Sequence, residues 1–121
     1  MPKPPKRWEL KDRKVRRTIR RLAGEPAKVS ATKRTLHDMT AMRINKAGVC
    51  QAICDCIDDG ETVMETITTD IPEHSGEPAW EFQPTIDGRD MFIKVTICDR
   101  DTDHELLLLI SAHEQQGGRR Q

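Results

Sequence analysis

Met91–Cys98 reads MFIKVTIC, and the alternation in that stretch decides the fold. Successive side chains on a strand point to opposite faces. Ile93, Val95 and Ile97 therefore share one face; Phe92, Lys94, Thr96 and Cys98 share the other. The same strand character extends on both sides. Thr62–Thr69 (TVMETITT) is rich in β-branched residues, and Ala79–Gln83 (AWEFQ) is a short alternating run. Leu106–Ala112 (LLLLISA) is continuously apolar, which predicts a central strand covered on both faces. Asp87-Gly88 predicts a turn before Met91–Cys98, and Asp99–Asp103 predicts one after it.

N-terminal to Gly60 the period is 3.6 instead of 2. Val15, Ile19 and Leu22 form one apolar stripe on a predicted helix from Asp12 to Leu22, stopped by Gly24 and Pro26. A short second helix is predicted to start at Ser30 as N-cap and to carry Leu36 and Met39 inward. A third, capped by Asn45, has Val49, Ile53 and Ile57 as its ridge with Cys50 and Cys54 beside them, and Gly60 closes it. Helices followed by strands with short loops predict an α+β fold, its N-terminal helices packed on one face of a small antiparallel β-meander. On that fold Lys94 falls on the open face of the sheet and is expected to be exposed. The domain is expected over residues 11–114, between a basic flexible arm (1–10) and a flexible tail (115–121).

The chain has 121 residues, 36% hydrophobic and only 3% aromatic. Its longest apolar run, Leu106–Ile110, is five residues, where a membrane-spanning helix needs about 20. No secretory signal is read at the N-terminus, so a cytoplasmic protein without membrane contact is expected, with its four cysteines as thiols. The net charge of zero conceals a strong polarity. Residues 1–34 hold 13 Lys+Arg against 3 Asp+Glu; residues 35–121 hold 7 against 17. Arg16, Arg17, Arg20, Arg21, Lys33 and Arg34 lie outside the apolar stripes and are candidates for binding RNA phosphates. The competing reading is that they pair with the chain's own acidic residues.

No metal or cofactor is expected. Cys50, Cys54, Cys56 and Cys98 lack paired zinc knuckles, and Cys56 points about 200° from Cys54 around the helix. Asp99-x-Asp101-x-Asp103 opens like a calcium loop but lacks its later Gly and Glu, so it reads as an acidic turn. His37, His74, His104 and His113 have no partner at ligand spacing. What remains is a cation with carboxylates on an open sheet: Lys94 with Glu65 and Glu81 in neighbouring strands and Arg89 at the adjoining turn. That set suits metal-free phosphodiester cleavage, with a carboxylate as base and Lys or Arg stabilising the phosphorane.

Thr32–Ile57 (TKRTLHDMTAMRINKAGVCQAICDCI), Ile67-Thr68-Thr69, Trp80 and Phe92–Ile97 carry a family resemblance. From about Val15 to Ser111 the chain resembles the MqsR (motility quorum-sensing regulator) family of RelE-like type II toxins. The resemblance implies a RelE/barnase-like ribonuclease fold, a metal-independent endoribonuclease acting on single-stranded RNA, and a cognate antitoxin as partner. The family's lysine on the first strand falls on Glu65, its glutamine after the tryptophan on Glu81 and its tyrosine on Phe92; its strand lysine is kept as Lys94. Either the site is rebuilt around carboxylates and a neighbouring histidine, or the scaffold serves as a non-catalytic nucleic-acid- or protein-binding module.

Overall fold

A computed structural model describes residues 7–69 and 71–115. Among them the elements run β1 (Trp8–Glu9), α1 (Arg13–Ala23), β2 (Val29–Ala31), α2 (Lys33–Ala41), α3 (Lys46–Asp58), β3 (Met64–Ile67), β4 (Pro78–Phe82), β5 (Thr85–Ile86), β6 (Arg89–Cys98) and β7 (Leu106–Glu114). The fold is α+β, and its sheet is mostly antiparallel with strand order β1-β3-β4-β6-β7-β2. One pair departs from the expected meander: β2 runs parallel to β7, Val29 opposite Leu107. The segment expected to begin a helix at Ser30 is this strand. The cap is Thr32, whose hydroxyl accepts from Thr35 N–H, and Leu36 is exposed instead of buried while Met39 faces the core.

The other two helices form where their patterns place them. Asp12 caps α1 by accepting from the Lys14 and Val15 amides, and Asn45 caps α3 by accepting from Gly48 N–H. Gly60, at φ 71°, takes the left-handed conformation that closes α3. Val15, Ile19 and Leu22 of α1 and Val49 and Ile53 of α3 pack in one core with Trp80, Phe82, Ile93, Val95, Leu107 and Leu109 of the sheet. Ile93, Val95 and Ile97 are buried, as their alternation requires. Residues 8–10, expected in the flexible arm, belong to the domain: Trp8 pairs with Glu65 on β3, and Leu10 is buried in the core. Residues 1–6 of the expected arm and 116–121 of the expected tail lie outside the described residues.

Between β6 and β7 the register slips. Lys94 lies opposite Ser111, but Val95 lies opposite Leu109, so Ile110 is the extra residue of a β-bulge. The Thr35 hydroxyl of α2 donates to the Ile110 carbonyl at 2.8 Å, tying the helix to the bulge. Strict alternation from Leu107 and Leu109 would have put Ser111 and His113 in the core. The bulge turns them to the second face and gives the core Ala112 instead. β7 is next to the sheet edge, not central, and Leu106 and Leu108 on its second face stay half-exposed. No described helix is long and apolar enough to cross a membrane.

Candidate functional site

The second face of the sheet carries one polar row. Glu81 on β4 lies opposite Lys94 on β6, which lies opposite Ser111 on β7. Phe92 and His113 make the next row, their rings stacked with centroids 5.2 Å apart. Lys94 is 8% exposed, not open to solvent as expected for an uncovered face. Residues on this face are shielded as the chain between β3 and β4 returns over the sheet: His74 in that segment reaches Cys98, and Ile71 reaches the neighbourhood of Ser111. Lys94 forms no hydrogen bond or ion pair among the described residues. Glu81 is also buried, and Arg7 Nε approaches its Oε1 to 2.9 Å. That contact is an ion pair without hydrogen-bond geometry, so it compensates the charge and leaves the oxygen without a donated proton.

Beside this row, α2 and β7 enclose a cleft of about 290 Å³ lined by Thr32, Arg34, Asp38, Ile71, Ile110, Ser111 and His113. His113 Nδ1 lies 2.9 Å from the Glu114 carbonyl oxygen. A carbonyl only accepts, so Nδ1 carries a hydrogen and Nε2 is the nitrogen left to take up or release a proton. The cleft thus holds a guanidinium, a carboxylate, an imidazole and two hydroxyls, with the Lys94 ammonium one strand away. These groups can bind an anion and exchange protons with it.

The structure divides the residues singled out from sequence. Glu81 and Lys94 do share a row. Glu65 does not: it lies opposite Trp80, so it is on the helix-covered side of the sheet. The β-branched run around it gives no phase, and only the pairing with β4 sets its face. Arg89 precedes Met91 and Ile93 by even steps, so it too is on that side, and its Nη1 donates to the Met42 carbonyl at 2.7 Å. Arg34 reaches the cleft. Asp38, Ser111 and His113 were missed. Asp38 follows Arg34 by four residues, one helical turn, which is a legible signal; Ser111 and His113 are hidden by the bulge.

Half of the basic side chains of α1 are spoken for, while Arg13, Lys14 and Arg17 are exposed. Arg16 donates to the carbonyls of Glu61 and Leu10. Arg20 grips Asp58 through two bonds of 2.9 and 3.1 Å, which raises the guanidinium pKa and lowers that of the carboxyl. Arg21 Nη2 meets Glu105 Oε1 at 2.5 Å. Glu105 also accepts from the Asp101 amide, and these bonds, the amide first, hold its carboxyl below the ordinary range. Arg17, Lys33 and Arg34 remain exposed. Since α1 packs on the core side, Arg17 and the Lys94 row lie on opposite sides of the sheet.

Cys50, Cys54 and Cys56 are buried free thiols, as expected, and burial pushes Cys56 up to about 11. Cys50 and Cys54 edge a second cleft of about 290 Å³ between α1 and α3, with Arg20 and Gly24. Among the described residues no three His, Cys, Asp or Glu side chains gather as a metal site. Comparison with family models, curated proteins and solved structures finds no match to this chain.

Proposed function

We propose that this chain is a toxin-like RNA-binding protein of RelE/barnase-like fold, a metal-independent endoribonuclease that cuts single-stranded RNA in the cytoplasm and is restrained by a cognate antitoxin protein. One observation supports the reading above the others. The Lys94 ammonium is 8% exposed and makes no hydrogen bond or ion pair among the described residues, with the Glu81 carboxylate opposite it already taken up by Arg7, next to a cleft that carries Arg34, Asp38 and His113. A desolvated, unpaired cation is unfavourable until an anion meets it, and a phosphodiester supplies that charge. In this reading Asp38 accepts the 2′-hydroxyl proton and His113, protonated at Nε2, returns one to the leaving 5′-oxygen. Lys94 and Arg34 stabilise the phosphorane, and a 2′,3′-cyclic phosphate remains. Glu81, buried against Arg7, sets the charge around Lys94 instead of acting as base.

The test is incubation of pure protein with end-labelled single-stranded RNA in EDTA. Cleavage to cyclic phosphate ends is expected, and Lys94→Ala or His113→Ala should lose on the order of 10²–10³ in rate. A second reading, the non-catalytic nucleic-acid- or protein-binding module, is favoured by the placement of Glu65 and Arg89 across the sheet. RNA binding that Lys94→Ala weakens, with no cleavage above buffer, selects it. RNA neither bound nor cut refutes the RNA reading altogether.

A further inference from the structure

Outside the cleft, three side chains stand in the order of a nucleophile, a base and an orienting carboxylate. Cys98, the last residue of β6, places Sγ 3.7 Å from His74 Nε2. His74 Nδ1 lies 2.9 Å from Glu77 Oε1. A carboxylate only accepts, so it fixes the hydrogen on Nδ1 and leaves the Nε2 lone pair for the Cys98 S–H. His74 comes from the 3₁₀ turn Pro72–His74 on the segment that crosses the second face, so only the folded chain assembles the trio. Cys98 is half-exposed, whereas Cys50, Cys54 and Cys56 are 2–4% exposed.

We infer that Cys98, His74 and Glu77 form a thiol-exchange site that takes a small cationic disulfide. In the reaction Cys98 Sγ attacks one sulfur of the disulfide while its proton passes to His74 Nε2. A new S–S bond forms to Cys98 and the reagent's own S–S bond breaks. The leaving thiolate takes the proton back from the imidazolium and departs as a thiol. The disulfide is the oxidant, and one half of it stays on the protein.

Two features set this class of reagent. Neither of the clefts described above includes Cys98 or His74, and acyl transfer would call for a pocket that grips the substrate and its tetrahedral oxyanion. Attack on sulfur needs neither, because the charge leaves with the thiolate. The surroundings are acidic: Glu77 and Asp99 act on the thiol directly, and Asp101 and Asp103 follow in the same turn, with Arg100 drawn over the Trp80 ring at 5.9 Å. Those carboxylates attract a cationic reagent and repel an anionic one. Burial first, then Glu77 and Asp99, also push the Cys98 thiol up. The sulfur is therefore protonated at neutral pH and needs the imidazole to react.

The experiment is timed labelling of the native protein with cystamine, a dicationic disulfide, or with oxidised glutathione, an anionic one, read by intact mass and peptide mapping. One cysteamine adduct on Cys98 is expected, faster than the glutathione adduct, with the preference shrinking as salt rises. Cys98→Ser should take no adduct. His74→Ala should slow cystamine labelling on the order of 10²-fold and make its rate fall tenfold per pH unit below the thiol pKa. A merely structural histidine predicts the reverse, because removing it uncovers the sulfur and speeds labelling. Glu77→Gln, which keeps the contact without the charge, should slow the reaction less than His74→Ala. Labelling that is unchanged or faster in His74→Ala, adducts on Cys50, Cys54 or Cys56 first, or faster reaction with glutathione disulfide would overturn the inference.

Discussion

Thr35→Val tests whether the α2 hydroxyl holds the bulge on which the candidate site depends. Valine keeps the shape of threonine and removes the hydroxyl, which donates to Ile110 and also meets the Thr32 hydroxyl at 2.7 Å; serine keeps both bonds. Thr35 is 1% exposed and Ile110 is 6% exposed, so water does not replace the 2.8 Å bond to the Ile110 carbonyl. Leaving a buried acceptor without its donor costs about 1–3 kcal/mol. For a domain of this size that lowers Tm by roughly 4 °C per kcal/mol. Thr35→Ser keeps the donor and drops one methyl, and should cost only about 1 kcal/mol. Urea unfolding followed by circular dichroism measures both. The second readout is the site itself: a loosened bulge lets Ser111 and His113 lose their fixed face, so RNA affinity or cleavage should drop in Thr35→Val and persist in Thr35→Ser. Equal stability of the two variants, with Thr35→Val within about 0.3 kcal/mol of wild type, would refute the reasoning, because the hydroxyl would then carry no part of the bulge.

Ile19→Ala removes a side chain with no exposure from the α1 seam and should cost about 2–5 kcal/mol in the same urea assay. Gly88 sits at φ 79° in the β5–β6 turn, and nothing lies within 4 Å of where a methyl would stand, so Gly88→Ala should lose about 1–2 kcal/mol through backbone strain alone. Glu105 has its folded pKa lowered by the Asp101 amide and Arg21, so it adds stability above the ordinary carboxylate range and loses it as pH falls through the folded value; Glu105→Gln should flatten that acid-side loss in thermal melts taken from neutral pH downward. Arg34→Glu should weaken single-stranded RNA binding and reduce the salt slope by roughly 0.7 per lost phosphate contact, while Arg17→Glu, on the far side of the sheet, should do neither; filter binding across a salt series separates them.

Local sequence carried much of the framework because its signals are short-range. The stripe Val15–Ile19–Leu22 buries one side of α1, Asn45 supplies the cap of α3, and the alternation in Met91–Cys98 sets the two faces of β6. Where two local signals competed, sequence misled. Ser30 is as good a cap as Thr32, but Val29–Ala31 gains ladder bonds beside β7, and the helix starts two residues later. The basic run gave charge without direction. Its partners are distant in sequence: Asp58 is 38 residues from Arg20, and Glu105 is 84 from Arg21.

By itself, then, the sequence determined the faces of α1 and α3, the strand segments of β3, β4, β6 and β7 and the presence of Lys94 on the face opposite the Ile and Val side chains. These follow from periodicity and from caps that act within a turn. Only the tertiary structure decided what stands beside Lys94. Pairing with β4 sent Glu65 to the helix side and brought Glu81 to the row. Arg7 then neutralised Glu81, and the bulge at Ile110 turned His113 and Ser111 toward the cleft that Arg34 and Asp38 line. A register shift of one residue reverses every later side chain on a strand, and its position is set by contacts such as Thr35 to Ile110, 75 residues apart.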